Sequence, residues 1–140
     1  MDIQRIENKL TELANYLEEL SEFLPETQEE YETNTMAKRS SEKTFELASE
    51  TIIDICNIII SENKFKTPQE NRDSIERLVQ NKILDKKLGE KLKDMIGFRN
   101  LLVHQYGKVD EQKAYKHLKE EIKDFEEFIE SIQKYIVTKK

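Results

Sequence analysis

Apolar residues recur every three or four positions at both ends of this chain, the spacing that places side chains on one face of an α-helix. Near the amino end the series is Ile3, Ile6, Leu10, Leu13, Leu17, Leu20 and Leu24, and Pro25 ends it. Near the carboxyl end it is Tyr115, Leu118, Ile122, Phe125, Ile129, Ile132 and Ile136, with Asp110 as a candidate N-cap. Both segments are predicted to be long amphipathic helices of an antiparallel bundle, or of a coiled-coil seam between subunits.

The central part of the chain contains a second predicted helix, from about Thr35 to Glu62. Residues 25–34, which precede it, are acidic and weakly patterned, so we interpret them as a connection or a polar first turn. The end of the helix carries six isoleucines within residues 52–60 and is apolar on most sides. Such residues also suit strands, but no partner strand is recognisable. We therefore expect this segment to be the central, most buried helix.

Capping signals divide the region that follows. The tetrapeptide Thr-Pro-Gln-Glu at 67–70 has the form of a capping box with proline at the first helical position. It would begin a short helix that ends near Lys82. Asp85 is the candidate N-cap of a fourth helix, and Gly107 is its predicted end. The sequence thus predicts an all-α fold, an antiparallel bundle of about five helices.

Composition agrees with a helical protein that forms one domain over residues 1–140. The chain has only three glycines and two prolines, while 37% of its residues are charged, which favours long solvated helices. No apolar stretch approaches the roughly 20 residues of a membrane span, and the amino end has no signal-peptide pattern. The lone Cys56 lies among isoleucines and is expected to be a buried, reduced thiol. We therefore expect a cytoplasmic protein with no membrane contact.

The net charge of −6 argues against a generic nucleic-acid binder. The charge is uneven, however. Residues 1–35 carry two basic and ten acidic side chains, whereas residues 36–110 carry fourteen basic and twelve acidic ones. The acidity is therefore a property of the amino-terminal region, and the central region can still present a local basic surface.

The fourth predicted helix contains an arginine at an unusual place. On a helical wheel Arg99 falls at the centre of an apolar arc formed by Leu88, Leu92, Met95, Leu102, Val103 and Tyr106. Because a guanidinium keeps its proton, it must meet a carboxylate, a carbonyl cluster or a bound anion there. Glu50 and Asp54 of the second helix are the carboxylates expected nearby, with Asp54 as a supporting residue of the site.

His104 follows Arg99 by five residues and lies about 140° around the same helix, on the side of Gly97 and Asn100. One straight helix cannot aim both side chains at one small ligand. Either the long Arg99 side chain bends round the helix edge, or two copies of the helix meet across a two-fold axis. In the second arrangement Gly97 would permit close approach. Ordinary structural roles, an ion pair for Arg99 and a cap for His104, also remain open.

The segment Met95-Ile96-Gly97-Phe98-Arg99-Asn100-Leu101-Leu102-Val103-His104-Gln105-Tyr106 resembles the R-x4-H-x-Y motif of HepT-like HEPN proteins. The resemblance extends more loosely through residues 38–60 and 83–85. It implies a five-helix bundle, a homodimer with the motif at the interface cleft, and a metal-independent endoribonuclease acting as a toxin. It also implies a cognate minimal nucleotidyltransferase antitoxin (MNT), which silences the toxin by transferring AMP onto the motif tyrosine.

Carried onto this chain, the resemblance makes Arg99 and His104 catalytic, Asn100 a supporting residue and Tyr106 the site of AMPylation. The chemistry is coherent because RNA supplies its own nucleophile, the 2′-hydroxyl, which His104 can deprotonate. Arg99 can neutralise the charge that develops on the phosphate. We expect no cofactor and no metal, since two distant histidines and one cysteine offer no convincing ligand cluster.

An alternative function is a non-catalytic helical module that binds a nucleotidyltransferase partner. In that case Arg99 is a structural or nucleotide-contacting residue, and the purified chain binds its partner without cleaving RNA. Two further features are interpreted conservatively. His117 is expected to be solvent-exposed, and the lysines between 82 and 93 are either a solvated helix face or a track for the RNA backbone.

Overall fold

The computed structural model describes residues 1–104 and 109–140, and every regular element in these ranges is helical. The elements are α1 (Ile3–Phe23), α2 (Gln28–Thr33), α3 (Thr35–Asn63), α4 (Asn71–Gln80), α5 (Lys86–His104) and α6 (Glu111–Val137). Five of these are the predicted helices, which confirms the all-α class. The addition is α2, a short helix inside the segment interpreted as a connection.

Helix α2 exists because of one buried aromatic side chain. Thr27 caps it by accepting a hydrogen bond from the backbone N–H of Glu30 at 3.2 Å. Tyr31 is fully buried, and its ring lies 5.4 Å from that of Tyr115 on α6. The acidic composition of this segment hides the single apolar anchor, so the sequence pattern alone did not predict a separate helix.

Helix α3 is the centre of the bundle, as predicted. All five other helices contact it, and its isoleucine-rich half is buried on most sides, at Ile52, Ile53, Ile55, Cys56, Ile58, Ile59 and Ile60. Cys56 is a free, fully buried thiol, and this burial raises its pKa above the usual range. The expected core cysteine is thereby confirmed.

Polar contacts fix the direction of the helices around α3. The backbone N–H of Asp2 donates to both carboxylate oxygens of Glu62 at 2.8 and 2.9 Å, so α1 begins where α3 ends. Asn63 donates to the phenol oxygen of Tyr135 at 2.9 Å, so α6 ends there too. We call this the far end of the bundle. At the opposite end, α1 and α5 finish and α3 and α6 begin, and we call it the motif end.

The predicted caps are partly confirmed. Asp85 accepts from the backbone N–H of Leu88 at 2.7 Å, and Asp110 caps α6. The predicted capping box at 67–70 is wrong, because α4 begins only at Asn71. The closing carboxylate is that of Asp73, which accepts from the backbone N–H groups of residues 69 and 70. The predicted helix end at Gly107 lies outside the described residues.

Across the described residues, no helix is both long enough and apolar enough to span a membrane.

Two lysines follow helix ends in the left-handed backbone region that normally favours glycine. Lys64 after α3 has φ 55° and Lys82 after α4 has φ 60°. The Lys82 N–H donates to the carbonyl of Val79, and the N–H of the next residue, Ile83, donates to Leu78, which closes the end of α4. A side chain with a Cβ atom pays a steric cost in this conformation.

Replacing Lys82 by glycine should therefore raise the free energy of unfolding by up to about 1 kcal/mol. Urea denaturation followed by circular dichroism measures the change. The control is Lys123→Gly, at an exposed position inside α6, which should lower stability by about the same amount. A Lys82→Gly variant less stable than the parent chain would contradict the interpretation.

Candidate functional site

The Arg99 side chain is held by two acceptors near the end of α5. Its Nη2 atom lies 3.2 Å from Glu50 Oε1 on α3, and its Nη1 atom lies 3.2 Å from Asn100 Oδ1. The Arg99 side chain is 20% exposed and that of Glu50 is 46% exposed. The expected carboxylate partner is therefore present, but it is half-exposed. The guanidinium lies at the rim of the core, where an anion can reach it.

Arg99 lines a cavity of about 410 Å³ between α3, α4 and α5. This volume is within the range of small-ligand pockets. Its walls are mostly polar and consist of Ser49, Glu50, Ile53, Asp54, Asn57, Asn71, Ile96 and Arg99. We call it the arginine cavity.

Asp54 lines the arginine cavity but does not pair with Arg99. Its carboxylate lies 3.3 Å from Nζ of Lys9 on α1. Because Asp54 is one helical turn beyond Glu50 on α3, a neighbouring helix determines which of the two carboxylates Arg99 meets. Both carboxylates expected near Arg99 therefore line its cavity, but only Glu50 pairs with it.

Two asparagines of this cavity were not predicted from the sequence. Asn57 Oδ1 accepts a hydrogen bond from the Ser74 hydroxyl at 2.7 Å, which ties α3 to α4. Asn57 continues a polar stripe with Glu50 and Asp54 at helical spacing along an otherwise apolar helix. That stripe was the signal that could have found it. Asn71, the first residue of α4, is close only because of tertiary packing.

The apolar arc predicted for α5 is largely buried, as expected. Leu88, Leu92, Met95 and Leu102 are buried, but Val103 is 38% exposed. His104 is also exposed and lies in the last turn of α5. Val103 and His104 therefore both face solvent at the motif end of a single chain.

The space beside Gly97 is occupied by another residue of the same chain. A Cβ atom at Gly97 would lie 2.6 Å from Nη2 of Arg72 on α4. A second copy of α5 can approach Gly97 only if the exposed Arg72 side chain moves away. The glycine accommodates the Arg72 guanidinium, whose Nε donates to the Lys93 carbonyl at 3.4 Å.

His117 was expected to be solvent-exposed, but it is only partly so, because it packs against α5. Its ring stacks on Phe98 with a centroid distance of 4.7 Å, and its side chain is 42% exposed. Both residues line a second cavity of about 520 Å³, on the side of α5 that carries Gly97 and Leu101. Helix α5 thus separates the arginine cavity from this one, and His104 shares its face with the second cavity.

Below His117, α6 carries two buried carboxylates. Glu121 is 4% exposed and Asp124 is 8% exposed, and Lys91 lies 3.7 Å from Asp124. The Glu121 Oε2 atom has no hydrogen-bond partner among the described residues. Burial, followed by the nearby Asp124 carboxylate, raises the pKa of Glu121 to about 8. Glu121 is therefore mostly protonated in the folded chain at neutral pH.

Tyr106, the predicted AMPylation site, lies outside the described residues. Within the described ranges, no group of three or more His, Cys, Asp or Glu side chains is arranged to hold a metal ion.

A helical bundle that carries an arginine, a neighbouring asparagine and a histidine at the end of its penultimate helix is the architecture of the HEPN class. The sequence model of the ribonuclease HepT-like family matches residues 13–132, and the chain belongs to that family.

Relatives in sequence are nucleases. The mRNA nuclease HepT of Shewanella oneidensis is 36% identical over 84 residues, which are 60% of this chain and 63% of that protein. The alignment thus spans less than two thirds of this relative's length. The tRNA nuclease HepT of Aphanizomenon flos-aquae is 24% identical over 133 residues, covering 95% of this chain and 90% of that protein.

Structural similarity extends over nearly the whole chain. The tri-AMPylated Shewanella oneidensis HEPN toxin, solved in complex with its MNT antitoxin, superposes with a TM-score of 0.86 at 27% identity. The superposition covers 95% of this chain and 98% of the toxin. The bundle and the order of its helices are therefore those of a HEPN toxin.

The raised pKa of Glu121 gives a prediction for stability. A carboxyl that is neutral when folded but ionised when unfolded makes folding take up a proton, so the unfolding free energy falls between about pH 4.5 and about pH 8. Glu121→Gln keeps the shape without the charge. The melting temperature of the variant minus that of the parent should therefore increase as the pH rises from about 5 to about 8.5.

Glu126→Gln is the matched control, because Glu126 is exposed on the same helix. Its melting-temperature difference should stay nearly constant over the same pH range. A constant difference for Glu121→Gln as well would show that Glu121 titrates in its ordinary range.

Proposed function

We propose that this chain is the ribonuclease toxin of a toxin–antitoxin pair, that it cleaves RNA at a site completed by a second copy of the chain, and that AMP transfer to Tyr106 silences it. The observation that carries the proposal is Arg99, held at a cavity rim by Glu50 and Asn100, with an exposed His104 five residues later in a HepT-like chain. The nuclease relatives support RNA as the substrate class.

The proposed reaction uses groups that RNA and the protein supply. A neutral His104 takes the proton of the 2′-hydroxyl, and the 2′-oxygen attacks the adjacent phosphorus. As the new P–O bond forms, the bond to the 5′-oxygen breaks, and that oxygen receives the proton that His104 has taken. The products are a 2′,3′-cyclic phosphate and a 5′-hydroxyl. Arg99 stabilises the additional negative charge on the phosphate oxygens.

Glu50 and Asn100 act as positioning residues in this mechanism. They orient the guanidinium before RNA binds, which reduces the entropy lost when Arg99 meets the phosphate. The Glu50 carboxylate is half-exposed, so water can solvate it when the phosphate draws the guanidinium away. Asp54 supports the site as a second acidic wall of the arginine cavity.

The dimer is part of the proposed site because Arg99 and His104 lie on different sides of α5. A two-fold axis at the motif end brings the Arg99 of one copy toward the His104 of the other. The exposed apolar side chains at this end support that location. They are Val103 at 38%, Phe23 at 40% and Met36 at 81% exposure.

The partner we propose is an MNT-type nucleotidyltransferase, because the similar toxin was solved AMPylated and bound to one. The Tyr106 hydroxyl attacks the α-phosphorus of ATP, and the bond to pyrophosphate breaks. The attached AMP places bulk and negative charge seven residues after Arg99, where both oppose an RNA phosphate. With RNA as substrate and a reduced core cysteine, we place the protein in the cytoplasm.

A mixed-dimer experiment tests the composite site. Arg99→Ala and His104→Ala should each abolish RNA cleavage, because each homodimer lacks one catalytic group in both sites. Unfolding the two variants together and refolding them makes about half of the dimers mixed, and each mixed dimer has one intact site. The mixture should recover about a quarter of the parent activity, measured as cleavage of total RNA.

Each variant refolded alone is the control and should stay inactive. Recovery of no activity in a mixture that contains mixed dimers would show that the site lies within one chain. Full activity of folded His104→Ala would contradict the ribonuclease mechanism altogether.

Tyr106→Phe tests the proposed silencing. Incubation of the parent chain with its nucleotidyltransferase and ATP should add one or more AMP units by intact mass and stop RNA cleavage. Tyr106→Phe removes the accepting oxygen, so this variant should gain no mass and keep cleaving RNA. Mass gain on the phenylalanine variant would place the modification elsewhere. Tyr135→Phe, at the far end of the bundle, is the control and should be modified like the parent chain.

A further inference from the structure

A cavity of about 520 Å³ lies at the far end of the bundle, away from the motif. It is formed by the ends of α3 and α6 and by the turn after α4. Its lining residues are Asn63, Phe65, Asn81, Lys82, Ile83, Ser131, Lys134, Tyr135, Thr138 and Lys139. Three of these are lysines and none is an aspartate or glutamate. We call it the lysine cavity.

Within the part of the chain that the structure describes, the three lysines of the cavity have no carboxylate partner, unlike two lysines of the nearby helix α5. Lys91 pairs with Asp124, and Lys93 pairs with Glu76, so this part of the lysine-rich stretch is neutralised. Among the described residues, no carboxylate lies within ion-pair distance of Lys82, Lys134 or Lys139. The lysine cavity is therefore a concentration of unbalanced positive charge in a chain whose net charge is −6.

The cavity also offers a neutral donor. Asn63 donates its amide hydrogen to the Tyr135 phenol oxygen at 2.9 Å. The phenol's own hydrogen has no acceptor among the described residues. The Lys139 ammonium lies 5.4 Å from the centre of the same ring, which holds this cation beside the phenol. An anion in the cavity can thus accept a hydrogen bond from Tyr135 in addition to contacts with the lysines.

Lys82 occupies its place at a conformational cost. It adopts φ 60° after α4, where glycine would be easier to accommodate. The left-handed turn brings its side chain into the wall of the cavity. The backbone conformation at this position favours glycine, yet the residue present is a lysine.

We propose that the lysine cavity binds backbone phosphates of the RNA substrate, at a distance from the catalytic residues. This inference rests on the proposed ribonuclease function. Lys82 and Ile83 lie just before α5, and the motif lies at the other end of that 19-residue helix, which is about 27 Å long. A short RNA at the motif cannot reach the lysine cavity, whereas a long or folded RNA can contact both.

The lysines of the cavity and its distance from the motif favour RNA over other anions as the ligand. Lysine ammonium groups are point charges that contact phosphates without reading bases, which suits a positioning contact. The acidic amino-terminal region repels a polyanion, so RNA must approach through local positive surfaces such as this one. A single small phosphate cannot contact the motif and the lysine cavity at the same time, whereas a long RNA can.

Comparison of a short and a long substrate tests the proposal. The test variant is Lys82→Gln with Lys134→Gln, and the control is Lys43→Gln with Lys123→Gln. The control removes the same charge at exposed positions outside the cavity. Cleavage is measured on a trinucleotide and on a folded RNA of transfer-RNA size, and binding of the folded RNA is measured as a function of salt.

We expect the test variant to raise KM for the folded RNA by about five- to tenfold, while kcat/KM for the trinucleotide stays unchanged. The slope of log K against log salt should become shallower by about 1.4 to 1.8, as expected for two lost phosphate contacts. The control variant should behave like the parent chain on both substrates.

Lys82→Gly separates a role of Lys82 in RNA binding from a role in stability, because the two predict opposite changes. It should bind the folded RNA more weakly than the parent chain although it is the more stable protein. Loss of stability and of RNA binding together would contradict the assignment, because the effect would then come from the fold.

An unchanged KM for the folded RNA, or equal losses on both substrates, would overturn the proposal. Inorganic phosphate can also be added as a competitor of folded-RNA binding. If it weakens RNA binding equally for the parent chain and the test variant, the proposal is overturned, because the cavity would then contribute nothing to RNA binding. Weakened binding of the nucleotidyltransferase with unchanged RNA binding would assign the surface to a protein partner. Failure of the parent chain to cleave either RNA would instead refute the proposed function itself.

Discussion

The burial of α3 is the constraint on which the rest of the structure depends. Its isoleucine-rich half can be removed from water only if other helices cover every side of it, and all five other helices contact it. A polar stripe of Glu50, Asp54 and Asn57 interrupts this apolar surface. Because those side chains need hydrogen-bond partners or solvent, the surrounding helices cannot close over them, and the arginine cavity forms there. The candidate site is thus a consequence of how the central helix is patterned.

The parts of the fold that the sequence predicts best are those that depend on local periodicity. Helices α1, α3 and α6 each have a long series of apolar positions, and Asp85 and Asp110 cap the following helices through contacts two or three residues away. Helix α2 depends on Tyr31 packing against Tyr115, eighty-four positions later, which local periodicity cannot indicate. The start of α4 was misassigned because Thr67 and Glu70 match a capping pattern, yet the shorter carboxylate of Asp73 makes the bonds.

The candidate site shows the same division. A guanidinium within an apolar arc requires an acceptor, so a carboxylate beside Arg99 was predictable from chemistry alone. The sequence does not predict that Arg99 pairs with Glu50 instead of Asp54, since both carboxylates lie on one face of α3. Asp54 pairs with Lys9 of α1, which is a tertiary contact. Likewise, the sequence predicts that a neighbour can approach Gly97 closely. In the single chain that neighbour is the guanidinium of Arg72 on α4, and no spacing rule connects residues 72 and 97.

The distribution of charge then explains how an acidic chain can act on a polyanion. Arg99, the cation proposed to meet the reacting phosphate, is offset by Glu50, so this guanidinium attracts RNA only weakly at long range. The three lysines of the lysine cavity lie instead at the far end, where α3, α4 and α6 finish and the helix dipoles favour cations. The cations of the lysine cavity and the cation proposed to stabilise the reaction are therefore separated by the length of α5. With this separation, Arg99 can be neutralised before substrate arrives without depriving the protein of an initial contact with RNA.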